Sequence, residues 1–128
     1  MKKQSIIYKL KDKELFDFLI AMINEKVDFE KDDVIQSLLV MSLNEIDYDL
    51  ADKLCTKFIH NEDLDIRVIS IQAIGHIARV YEKLINKDLY DDICKIYKDK
   101  KHPLCGYVED ALNDIQIFLK IPKPDGSA

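Results

Sequence analysis

Apolar residues recur along this chain at intervals of three and four, the spacing that lines one face of an α-helix. Leu15, Phe16, Leu19, Ile20 and Ile23 are the first such set and predict a helix over residues 12–25. Asp12 stands where an N-cap belongs. A second helix is predicted over 32–43 (DDVIQSLLVMSL), its leading carboxylates suited to the positive end of a helix dipole. A third is predicted over 48–59 with Asp47 as its cap, and a fourth over 64–82. The fifth is expected over 87–98, where Asn86 is a good cap and Ile85 with Tyr90 can form a hydrophobic staple. The sixth is expected over 104–120, with Pro103 tolerated at a helix start because the first N–H groups have no intrahelical partner. The two strand-like strings, YKL near Tyr8 and VIS at 68–70, are too short or lie inside a helical period. The expectation is an all-α chain of three antiparallel helix pairs, at 12–43, 48–82 and 87–120. It forms one domain over 1–121, with 122–128 a disordered tail.

The most apolar stretch is DIRVISIQAIGHIARVY, residues 65–81. Its longest unbroken apolar run is three residues, against the roughly 20 needed to span a bilayer. Turned at about 100° per residue, it sorts into two sides. Ile66, Ser70, Ala73, Ile74, Ile77, Val80 and Tyr81 cover the broad one. Gln72, Gly75, His76 and Arg79 fall together on the narrow one with Val68. Such a polar stripe is either a solvated face or a docking surface.

The second helix of each pair can be aligned on the next. Ile66, Ser70, Ile74 and Ile77 match Tyr107, Ala111, Ile115 and Phe118 at an offset of 41. Ile66, Ser70 and Ile74 match Ile35, Leu39 and Leu43 at an offset of 31. Within DLDIRVISIQAIGHIA, residues Asp65, Ile66, Arg67, Ser70, Ala73, Ile74 and Gly75 follow the pattern of a HEAT-repeat second helix. That pattern is an Asp, Val-Arg, a small residue three positions on, then Ala-Leu-Gly. The string resembles this family over one repeat; 107–118 lacks the Arg and Gly, and 32–43 keeps only the apolar register. The resemblance implies an α-solenoid of about three helix pairs, HEAT/armadillo-like, a fold that binds other macromolecules. It also implies that Arg67 pairs with an Asp between repeats, with Asp65, Asp32 or Asp33 the candidates. The family offset places Glu109, Asn113, Gln116 and Lys120 in the stripe beside His76 and Arg79.

Charge changes the picture more than composition does. Residues 28–65 carry eleven acidic residues against three lysines, a net of −8; the rest of the chain carries thirteen against sixteen, a net of +3. An acidic surface repels phosphate backbones and attracts basic partners. The acidic residues gather at the expected helix starts, where capping and the dipole favour them. In a HEAT-like stack Asp32, Asp33, Glu62, Asp63 and Asp65 would share one rim, extended by Glu109 and Asp110. The alternatives for this rim are a solvated edge or a docking site.

Catalytic chemistry is not evident. There is no Gly-rich phosphate loop and no GxSxG, and adjacent carboxylates diverge by about 100° on a helix. His102 and Cys105 have zinc-like spacing, but with a proline between them and no second pair nearby in sequence. Cys55, Cys94 and Cys105 sit among apolar neighbours and read as free core thiols of a reducing cytoplasm. The HEAT-like alkylpurine DNA glycosylases carry a basic groove with lesion-contacting aromatics; this chain is acidic and lacks Trp. No catalytic residue, metal or cofactor is expected, nor nucleic-acid or membrane binding. The chain is similar to small bacterial HEAT-type immunity proteins, which neutralise basic nuclease toxins. The expected partner is a basic protein of that kind, an adaptor or assembly chaperone being the alternative. The candidate partner-binding residues are Asp32, Asp33, Glu62, Asp63, Asp65, His76, Arg79, Glu109, Asp110 and Asn113.

Overall fold

The computed structural model describes residues 12–124. They form six helices, α1 (Asp12–Ile23), α2 (Lys31–Leu43), α3 (Tyr48–Phe58), α4 (Leu64–Tyr81), α5 (Lys87–Lys98) and α6 (Cys105–Leu119). No strand occurs among the described residues, and no helix there is long and apolar enough to cross a membrane. The side chain of Asp12 and the tail from 125 onward lie outside the described residues. Ile121 is half-buried and packs against the core.

The helix starts follow side-chain chemistry. Asp47 accepts the Leu50 N–H at 2.8 Å and Asn86 accepts the Leu89 N–H at 3.0 Å, so both expected caps are in place. Asp63 caps α4, accepting from the N–H groups of Asp65 and Ile66. Asp33 accepts the Glu30 N–H at 2.9 Å at the start of α2. Pro103 lies ahead of α6 in a turn, in which the His102 N–H reaches the Asp99 carbonyl and the Cys105 N–H the His102 carbonyl. The ends are less ordinary. Glu25, Glu82 and Lys120 all adopt the left-handed conformation that glycine more often supplies past a helix end.

α4 is the centre of the packing, touching α2, α3 and, most extensively, α6. Its direction relative to α2 is fixed at both ends. Lys31 at the start of α2 reaches Asp63 and Asp65 at the start of α4, at 3.0 and 2.7 Å. The Tyr81 hydroxyl at the end of α4 meets the end of α2, where its single proton has two carbonyl acceptors within reach, Met41 (2.6 Å) and Asn44 (2.8 Å). The same oxygen accepts the N–H groups of Ile46 and Asp47, so one phenol ties down the whole α2–α3 connection. α2 and α4 therefore run the same way. So do α3 and α5, because Asn86 lies beside Asp52, and His60 beside Asp92.

The interior holds Leu19, Leu38, Leu54, Phe58, Ile71, Ile74, Ile77 and Ile93, all essentially inaccessible. Each such side chain stabilises the fold by about 1.5–3 kcal/mol relative to leaving it exposed. Cys55 on α3, Cys94 on α5 and Cys105 on α6 are buried free thiols. Burial pushes the Cys55 thiol well above its ordinary range, and that of Cys94 up too.

Three expectations are corrected here. Gly75 is not on an open stripe: α6 lies against it. The helix registers differ from the apolar alignment. Ser37 and Ser70, 33 positions apart, are both fully buried and both donate to the carbonyl four residues back. In α6 the partners at offset 41 divide: Ala111 and Ile115 are buried like Ser70 and Ile74, whereas Tyr107 and Phe118 are exposed and Val108 is buried beside Tyr107. Matching apolar identities missed this because α6 spends two aromatics on its surface. Arg67 does not bridge α2 and α4 either. Its Nε donates to the Ile59 carbonyl at 3.0 Å, closing the α3–α4 turn, and Lys31 makes the ionic link instead.

Candidate functional site at the α4–α6 groove

Where α4 meets α6, a glycine lets the two backbones come close. A Cβ built on Gly75 would stand 3.2 Å from the Ala111 Cα and 2.8 Å from Asp114 Oδ2. Above this contact is a groove of about 260 Å3, lined by Gln72 and His76 of α4 and by Tyr107, Asp110, Ala111 and Asp114 of α6. Tyr107, Ala111 and Asp114 are spaced at i, i+4 and i+7, which places them along one edge of α6. Tyr107 is 40% exposed, so its ring is available at the mouth.

The electrostatics of the groove are lopsided. Arg79 Nη2 lies 3.2 Å from His76 Nδ1. A guanidinium can only donate, so Nδ1 is the acceptor and the imidazole is neutral. The same conclusion follows from its environment: burial and then the neighbouring Arg79 charge lower the His76 pKa, against a smaller raising effect of Asp114. His76 thus does not neutralise Asp114 at pH 7. Neither Asp110 nor Asp114 has an ion-pair partner among the described residues.

The acidic rim expected at the helix starts is only partly free. Lys31 sits among its carboxylates; Asp65 first, then Asp63, holds the ammonium pKa above its ordinary value. Lys31 in turn holds the Asp63 carboxyl below its usual range. Asp63 also caps α4, and Asp33 completes the capping box of α2. Of the other candidates, Glu62 and Glu109 are exposed, and Asp32 and Asn113 half-buried. The structure brings His76, Arg79 and Asp110 together around the groove, and Asp63 and Asp65 around Lys31. Sequence reasoning missed Tyr107, Asp114 and Lys31 as parts of these sites. Asp114 stands one turn beyond Asp110, a spacing that would have revealed the pair.

A wider and shallower groove of about 760 Å3 lies on the α3–α5 side, its apolar lining drawn from Ile23, Ile59 and Leu89. Several of its polar groups are engaged: Asn86 donates to Asp52 and Thr56, and His60 lies 3.1 Å from Asp92. Among the described residues no three His, Cys, Asp or Glu side chains converge as metal ligands. No protein-family model, curated protein or solved structure matches this chain.

Proposed function

We propose that this chain is a protein-binding module built as a HEAT-like stack of three helix pairs. Its partner is a basic protein, most specifically the nuclease domain of a toxin that it neutralises as an immunity protein. The observation that carries this reading is the α4–α6 groove, where Asp110 and Asp114 have no ion-pair partner among the described residues and stand beside an exposed tyrosine. The starts of α4 and α6 add the exposed carboxylates of Glu62 and Glu109. Their negative charge would steer a cationic partner into contact and raise its association rate. The shared direction of α2 and α4 and their equivalent buried serines support the stack.

A second reading, an adaptor within a larger assembly, is favoured by one observation. α6 leaves Ile117 58% and Phe118 43% exposed, apolar area suited to a further subunit.

The test is coexpression with a basic nuclease toxin encoded beside this chain. The expected result is restored viability and a complex whose affinity falls steeply with salt. The double variant Glu62→Lys/Glu109→Lys, which spares the capping carboxylates, should slow association. A toxin that remains lethal and unbound at low ionic strength overturns the toxin reading.

A further inference from the structure

We infer that the α4–α6 groove is the seat of one arginine side chain presented by the partner. This inference rests on the basic-partner reading above and names the chemistry of recognition within it. The argument begins with the two carboxylates. Asp110 and Asp114 are four residues apart on α6, so their Cβ atoms lie about 5–6 Å from each other along one edge. Elsewhere several exposed carboxylates have found a cation: Asp63 and Asp65 share Lys31, Asp91 takes Lys87, Glu25 takes Lys57. The pair in the groove has none among the described residues, and the imidazole that lines the groove with it, His76, is held neutral.

The ring of Tyr107 adds the second element. A guanidinium is planar, stacks on an aromatic face, and presents five N–H donors in a fork wide enough to serve two carboxylates. An ammonium is a compact, strongly hydrated point charge and uses neither the plane nor the width. The side-chain amide oxygen of Gln72 is a further acceptor on the α4 wall. Arg79 lies one turn from His76 and is engaged with its Nδ1, so the protein's own guanidinium is held beside the groove by a neutral base. Gly75 makes the arrangement possible, because any side chain there would push on the Asp114 carboxylate and the Ala111 backbone.

The test titrates the isotope-labelled full chain with two blocked tripeptides, acetyl-Gly-Arg-Gly-amide and its lysine counterpart, followed by amide chemical shifts. The arginine peptide should give saturable shifts at Gln72, His76, Asp110 and Asp114, and the lysine peptide several-fold weaker ones. Asp110→Asn/Asp114→Asn should weaken arginine binding roughly tenfold or more, the loss of charge-assisted hydrogen bonds. Tyr107→Leu should weaken it by about threefold, the size of an exposed cation–π contact. Equal responses to the two peptides, or shifts confined elsewhere, overturn the inference; that comparison uses the unaltered chain and needs no variant to fold. Toxin rescue that survives Asp110→Asn/Asp114→Asn would also overturn it while leaving the proposed function standing. Arginine binding in the groove without toxin rescue would do the reverse.

Discussion

The two ends of α4 are both tied to α2, by opposite kinds of chemistry. At the start, Lys31 reaches two carboxylates across the gap, with side chains that are 46% (Lys31), 35% (Asp63) and 72% (Asp65) exposed. At the end, the Tyr81 hydroxyl is enclosed between two carbonyls, which share its one proton, and two N–H groups that donate to its oxygen. Water competes for every partner in the first contact and is screened further by salt. The phenol has no comparable alternative in the folded chain. Removing it strands buried polar groups, which costs their desolvation rather than the modest net worth of a hydrogen bond. The two contacts have nearly the same length, 2.7 Å at the shorter ion pair and 2.6 Å from the phenol to the Met41 carbonyl, so distance is no guide to which end holds.

The comparison can be broken most severely at the tyrosine. Tyr81→Ala should destabilise by about 3–5 kcal/mol through lost ring packing as well as lost bonds, measured by urea denaturation. Tyr81→Phe keeps the ring and isolates the hydroxyl; about 1–3 kcal/mol is expected. Asp47→Ala probes the same junction through its cap on α3 and should cost about 1 kcal/mol. Lys31→Met, at the other end, should move the denaturation midpoint less than any of these, and the difference should shrink further in high salt. A Lys31→Met effect equal to that of Tyr81→Phe would abolish the ranking, and a larger one would invert it.

Acid sharpens the contrast. The Asp63 pKa is depressed in the folded chain, chiefly by Lys31, so its contribution is complete above the ordinary carboxyl range and is lost as pH falls through the depressed value. The Lys31 pKa is raised, so its share is complete below the ordinary lysine value and lost only as pH climbs through the raised one. Neither group gives pH dependence near neutrality. The acid limb of a stability titration followed by circular dichroism should therefore be shallower in Lys31→Met than in the parent. Superimposable limbs would mean the pair adds nothing.

Much of the fold was legible because the helices are amphipathic and their starts carry dedicated acceptors. Asp47 and Asn86 could be read as caps from position alone, since a short polar side chain ahead of an apolar period has few other uses. The ends were harder to place, because Glu25, Glu82 and Lys120 take the left-handed role without a glycine to mark it. Register between helices was hidden for a different reason. Packing selects by direction around the helix, so Val108 is buried while the larger Tyr107 beside it is not. Gly75 misled in the same way: without a side chain it reads as part of a polar stripe, yet it marks a close approach of α6. The groove residues His76, Arg79 and Asp110 were visible as surface polar groups. Asp114 and Tyr107 gain their meaning only from what stands opposite them on α4.

The three buried cysteines give the molecule a set of internal timers. A thiol reacts with an alkylating reagent as the exposed thiolate, so each of these must first be released by an opening of its own helix. Cys94 and Cys105 lie near the surface of α5 and α6, each 8% exposed, and a modest separation of that pair would free them. Cys55 is 1% exposed on the α3 face turned inward, and burial disfavours its thiolate most strongly. Its labelling rate should track the loosening of α3 from α4, the event that the tyrosine at the far end of α4 restrains.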